Sequence, residues 1–187
     1  VKSVRANLIL DSIYKEITPN LILIIRNPID IWKSLQRMPK TLKVITHSKY
    51  LKMYIESGVF EKYDELNYLL KIKFNQKNEA YRNFLIVWII QNYVPLKQSQ
   101  LDDKFNPLVL NYDDLIKDPF ESINSILFFT KNSLLEKHTI DSYINKKSST
   151  TLNFNDVEED ICYSDIYKLT QQFLIKLDYL KNYLKRQ

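Results

Sequence analysis

The chain has 187 residues, of which 45% are hydrophobic and 26% are charged, and this balance predicts one globular domain rather than a disordered segment. The net charge of +5 suits an anionic ligand, but basic and acidic residues are interspersed along the chain, which disfavours general nucleic-acid binding. The chain has one cysteine, two distant histidines and one glycine, Gly58, and therefore predicts no internal disulfide, no protein metal centre and no P-loop.

The first clear strand in the sequence is the continuous apolar run at residues 21–25. A run of this length without alternation is typical of a strand buried on both faces, and such strands occur in parallel sheets. Asn27 is predicted to cap the helix that follows, and Pro28 fits its first turn, where no amide donor is needed. This helix is predicted to run to about Met38 and to pack through Trp32.

A second segment repeats the same strand, turn and helix plan. Residues 107–112 are predicted to form a strand, and Asp118 is predicted to cap the next helix, with Pro119 in its first turn. Glu121 is the expected reciprocal partner of Asp118 in a capping box. The apolar stripe of this helix, predicted to face a core, consists of Ile123, Ile126, Leu127 and Thr130.

The remaining segments are predicted to be mostly helical. A strand tail at residues 1–4 precedes predicted helices at 6–17, 40–56, 63–73 and 78–98. Pro95 is predicted to kink or end the last of these. Residues 139–160 are polar and are predicted to be irregular, and Ser164 is predicted to cap a final helix with Leu169 and Phe173 on its apolar face. This order predicts a single α/β domain over residues 1–187, with a parallel sheet flanked by helices.

Arg26 is the leading candidate for a binding residue. It stands at the carboxyl end of the first strand, where open α/β sheets place their ligands, and directly before a helix N-terminus, which attracts anions. An arginine can bind a phosphate through two N–H groups, and Ser34, on the same helix face as Asp30, can donate to the same phosphate. From the residues alone, the alternative is favoured, in which Arg26 pairs with Asp30 or another acid and Ser34 faces water.

Residues 26–34, Arg-Asn-Pro-Ile-Asp-Ile-Trp-Lys-Ser, resemble the R-[DN]-P-x-[DA]-x-x-x-S element of sulfotransferases. In that family the arginine and the serine hold the 3′-phosphate of the donor, 3′-phosphoadenosine 5′-phosphosulfate. Residues 110–119 resemble the later Y-[ED]-D-L…DP segment, which is mainly structural, and Trp88 matches a tryptophan common between the two elements. Residues 2–5 and 148–151 look like a K-[ST]-x-R strand and a serine/threonine patch of Golgi carbohydrate sulfotransferases.

The resemblance implies a P-loop NTPase-like sulfotransferase fold that is truncated at its N-terminus. The glycine-bearing loop that binds the 5′-phosphosulfate in the family is missing, so this chain alone is expected to be inactive. Lys2 is implied as the catalytic cation near the leaving phosphosulfate, although an exposed terminal lysine would look the same. Val4 stands where cytosolic members have a histidine base, and no base is identified. The positions implied to bind the donor are Arg26, Ser34, Arg5, Ser149 and Thr150.

The implied activity is transfer of a sulfuryl group to a hydroxyl, on a carbohydrate or another acceptor, without a metal and without a nucleic-acid partner. The same resemblance implies a Golgi location, with the cytoplasm as the alternative. No apolar run approaches the roughly 20 residues of a membrane span, so a membrane anchor, if any, is expected upstream of this chain.

Two other functions stay open at this point. The first is a non-catalytic sulfotransferase-like remnant or binding module, which would keep the fold without the chemistry. The second is a nucleotide or sugar kinase-like enzyme built on a similar sheet.

Overall fold

The computed structural model describes residues 10–36, 47–73, 79–144 and 163–174, and they form a mixed α/β structure that is mostly helical. The two strands described are β1 (Ile22–Ile25) and β2 (Leu108–Asn111). The helices are α1 (Leu10–Ile17), α2 (Pro28–Gln36), α3 (His47–Glu56), α4 (Val59–Lys62), α5 (Asn67–Lys71), α6 (Glu79–Leu101), α7 (Tyr112–Lys117), α8 (Pro119–Phe129), α9 (Lys137–Ile144) and α10 (Tyr163–Leu174), with a short 3₁₀ helix at Asp64–Leu66.

The strands β1 and β2 pair in parallel, as the sequence predicted. Their register joins Ile22 to Leu108 at one end and Ile25 to Asn111 at the other. The prediction that β1 is buried on both faces is wrong, because Ile25 is fully buried whereas Ile24 is 48% exposed. Successive side chains of a strand point to opposite faces, and the helical core covers only one face of β1. The strand predicted at residues 1–4 lies outside the described ranges.

Helix α6 forms the centre of the core and contacts α1, α2, α3 and α10. It is buried around most of its circumference, so it shows no single apolar face. Of the kink or end predicted at Pro95, the end is wrong, because α6 continues to Leu101. A proline inside a helix costs about 3 kcal/mol, whereas each large apolar side chain that α6 buries contributes about 1.5–3 kcal/mol. Tertiary packing therefore outweighs the local penalty.

Side-chain caps begin three of these helices. Oδ1 of Asn27 accepts a hydrogen bond from the amide of Ile29 at 2.9 Å, and Oδ1 of Asn111 accepts one from the amide of Asp113 at 2.8 Å. Oδ1 of Asp118 accepts one from the amide of Glu121 at 3.1 Å. The predicted caps Asn27 and Asp118 are thus confirmed.

The capping box predicted at Asp118 forms only in part. Its second half would use the amide of Asp118, but that amide donates to the carbonyl of Asp114 at 2.8 Å. Asp118 therefore ends α7 and begins α8 at the same position. Asp118 is thus the single residue that separates α7 from α8.

Three further predictions need correction. Part of the segment predicted to be irregular, residues 139–160, is helical, because α9 covers Lys137–Ile144. Helix α10 begins at Tyr163, so Ser164 lies inside it rather than before it, although Leu169 and Phe173 are buried as predicted. The predicted apolar stripe of α8 is only partly buried.

Candidate functional site

Arg26 and Tyr112 meet at the carboxyl edge of the parallel sheet. The register pairs Ile25 with Asn111, the last residues of the two strands. Arg26 and Tyr112 follow these residues directly and therefore lie side by side. The guanidinium carbon of Arg26 lies 4.5 Å from the centroid of the Tyr112 ring, within the range of a cation–π contact. The parallel pairing of the strands thus accounts for a contact between residues far apart in the sequence.

The charge of Arg26 has no acidic partner in the described part of the chain. The ion pairs found there do not include Arg26 or Asp30. The pairing of Arg26 with Asp30 that the residues alone suggested is therefore wrong, and a pairing with another acid is not found among the described residues. The tyrosine ring contacts the guanidinium without neutralising its charge, and no carboxylate among the described residues neutralises it either.

The start of α2 lies directly beside Arg26, but few of its amides remain to bind a ligand. Pro28 has no amide hydrogen, and the amide of Ile29 already donates to the side chain of Asn27. Asp30 adds a negative charge to the first turn. In this arrangement the guanidinium, rather than the helix end, is the main group able to bind a phosphate.

Ser34 lies on α2, one helical turn after Asp30 and on the same face, as predicted. Its side chain is partly buried. Among the hydrogen bonds between described residues, none involves its hydroxyl. The convergence of Arg26 and Ser34 on one phosphate stays a prediction. Lys2, Arg5, Ser149 and Thr150 lie outside the described residues.

An aromatic cluster holds α2 against α6. The ring of Trp32 lies 5.3 Å from the ring of Tyr81 and 5.3 Å from that of Phe84. Trp32 is only 7% exposed and Trp88 only 4%, so both are core residues, as expected for tryptophans. The cluster positions the helix that carries Ser34.

His47 belongs to this cluster and is partly buried. Its ring lies 5.1 Å from the ring of Phe84 in an edge-to-face arrangement and 6.5 Å from that of Trp32. Burial lowers the pKa of His47 below its ordinary value, because the charged form is poorly solvated there. His138 is exposed, and its Nδ1 lies 3.1 Å from Oε2 of Glu136.

A second group of titratable residues joins α6 to the 3₁₀ helix. The hydroxyl of Tyr93 donates to Oε1 of Glu65 at 2.5 Å, and Nζ of Lys97 lies 3.1 Å from the same oxygen. The hydrogen bond from Tyr93 lowers the pKa of Glu65, whereas burial, more than the nearby carboxylate, raises the pKa of Tyr93. The three polar groups pair with one another, so we assign the group a structural role in holding the 3₁₀ helix against α6.

An apolar groove of about 820 Å³ lies at the other end of β2. It is lined by Leu108, at the amino end of β2, and by residues of α8 and the loop that follows. None of the predicted site residues contributes to it. The groove is therefore separate from the edge of the sheet that carries Arg26.

Tyr112 is the site residue that the sequence did not identify. The Tyr-Asp-Asp-Leu segment indicated a structural role, and only the register of the two strands shows that its tyrosine contacts Arg26.

Within the described ranges no group of three or more His, Cys, Asp or Glu side chains could hold a metal ion, and no helix could cross a membrane. Comparisons with protein-family models, curated proteins and solved structures gave no match.

Proposed function

We propose that Arg26 binds the 3′-phosphate of 3′-phosphoadenosine 5′-phosphosulfate and that the chain is part of a sulfotransferase. One observation carries this proposal. A guanidinium without a carboxylate partner among the described residues stands where a parallel strand ends and a helix begins. The resemblance of residues 26–34 to the sulfotransferase element supplies the identity of the anion.

The proposal includes the P-loop NTPase-like sulfotransferase fold, with the two parallel strands as part of its sheet. The bound donor would supply the sulfuryl group, and its acceptor would be a hydroxyl, on a carbohydrate by resemblance. The Golgi location rests on the resemblance as well. In this proposal Arg26 and Ser34 bind and orient the donor through its 3′-phosphate, which fixes the reacting end relative to the acceptor.

Further residues of the proposed site rest on the resemblance alone. Lys2 would stabilise charge on the leaving phosphosulfate, and Arg5 would contact the donor. Ser149 and Thr150 would line the nucleotide side of the cleft. No metal takes part in this proposal, because the lysine and arginine side chains would supply the positive charge.

Binding of adenosine 3′,5′-bisphosphate, measured by calorimetry, tests the proposal. Arg26→Ala should weaken binding by at least about 1.5 kcal/mol, because a charge-assisted hydrogen bond is lost. Adenosine 5′-monophosphate lacks the 3′-phosphate, so the same substitution should leave its weaker binding almost unchanged. Lys104→Ala, which removes one positive charge near the opposite end of β2, is the matched control.

The two nucleotides separate the possible outcomes. Equal losses for both would reject Arg26 as the 3′-phosphate ligand. Absence of bisphosphate binding by the unchanged chain would reject the donor site itself, and binding of ATP in its place would favour a kinase-like enzyme.

A further inference from the structure

We infer that Tyr112 is a positioning residue that orients Arg26 for phosphate binding. This inference rests on the proposed function, and it adds a residue from the second strand to the proposed site. The ring of Tyr112 lies under the guanidinium, with 4.5 Å between the guanidinium carbon and the ring centroid.

The position of the ring is fixed by backbone structure. Tyr112 is the first residue of α7 and directly follows the last residue of β2. The preceding residue, Asn111, is 8% exposed, pairs with Ile25 across the sheet and caps α7 through its side chain. Strand pairing before the tyrosine and a capped helix after it leave the backbone at Tyr112 little freedom.

Stacking and phosphate binding use different parts of the guanidinium. A ring contacts the flat face of the group, whereas the five N–H donors point outward from its edge. A carboxylate partner would occupy those edge donors and cancel the charge. Tyr112 does neither, so it can hold Arg26 in place and leave its N–H donors to bind an anion.

The ring face, rather than the tyrosine hydroxyl, is the feature that this role requires. We therefore expect Tyr112→Leu, which keeps an apolar side chain but removes the ring, to weaken adenosine 3′,5′-bisphosphate binding about threefold to thirtyfold. Tyr112→Phe keeps the ring and should bind within about twofold of the unchanged chain. Calorimetry on the full chain measures both.

A double-mutant cycle with Arg26→Ala separates positioning from general damage to the fold. If Tyr112 acts through Arg26, Tyr112→Leu should have no further effect once the guanidinium is gone. The NMR signal of the Arg26 Nε–H group, assigned by its loss in Arg26→Lys, provides a second readout. It should shift in Tyr112→Leu, because the ring current of the stacked tyrosine is removed, and remain close to its original position in Tyr112→Phe.

Each result has a distinct meaning. Equal binding by Tyr112→Leu and the unchanged chain, or an undiminished effect of Tyr112→Leu in the Arg26→Ala background, would overturn the positioning role and leave the phosphate site intact. If the unchanged chain fails to bind the bisphosphate, the proposed function is rejected, and the role of Tyr112 is rejected with it.

Discussion

His47 shows how packing changes the chemistry of a single residue. Its neighbours Trp32 and Phe84 come from two other helices, α2 and α6. His47 is also the first residue of α3, where a positive charge is disfavoured by the helix dipole. Both features favour the neutral imidazole in the folded chain.

We predict that His47 makes the chain less stable in mild acid. Its pKa is lowered in the folded state, so below about pH 6.5 the unfolded chain takes up a proton that the folded chain does not. The free energy of unfolding should therefore fall as the pH drops through this window toward the folded-state pKa. In His47→Phe the part of the pH dependence that comes from His47 should disappear. Urea unfolding at pH 7.5 and pH 5.5 measures the free energy of unfolding of both proteins.

The exposed His138 provides the matched control for this experiment. His138→Gln should still lose stability between pH 7.5 and pH 5.5, because His47 is unchanged in this variant. An identical difference in stability between the unchanged chain and His47→Phe at both pH values would contradict the prediction.

At the scale of the element, local sequence signals identified the starts of α2 and α8. The predicted caps Asn27 and Asp118 each accept a hydrogen bond from an amide within the next three residues, so a cap depends only on neighbouring residues. The continuation of α6 past Pro95 depends on contacts with other helices. No local signal contains that information.

We expect Asp118→Ala to lower the free energy of unfolding by about 1 kcal/mol, because the amide of Glu121 loses its acceptor. Glu121→Ala, which removes the acceptor that the second half of a capping box needs, should change it by only a few tenths of a kcal/mol, since the amide of Asp118 already donates to Asp114. Urea unfolding at neutral pH compares the two variants. Equal losses would mean that the capping box forms in full.

At the scale of the whole molecule, buried hydroxyl contacts join α10 to the central helices. The hydroxyls of Tyr81 and Thr170 lie 2.6 Å apart, and Tyr68 donates to the carbonyl of Phe173. Burial raises the pKa of Tyr81 to about 12, so its phenol stays protonated at neutral pH. The described part of α10 thus docks through polar contacts as well as through Leu169 and Phe173.

We predict that Thr170→Val costs about 1–3 kcal/mol, because it leaves the buried hydroxyl of Tyr81 without this partner. The same substitution should cost less in a Tyr81→Phe background, where no hydroxyl is left unpaired. Thr139→Val, at a partly buried position of α9, should cost less than Thr170→Val, because Thr170 is almost fully buried. Strictly additive losses at Tyr81 and Thr170, measured by urea unfolding, would show that the two hydroxyls are not coupled.

The sequence by itself determined the parallel strands β1 and β2, the starts of α2 and α8 and the placement of Arg26 between a strand and a helix. These features follow from hydrophobic runs, caps and prolines, which act over a few residues. Only the tertiary structure decided which face of β1 is buried, that His47 packs against Trp32, and that Arg26 stacks on Tyr112 rather than pairing with Asp30. Such contacts join distant segments, and their partners are set by strand register and helix packing, which no local pattern encodes.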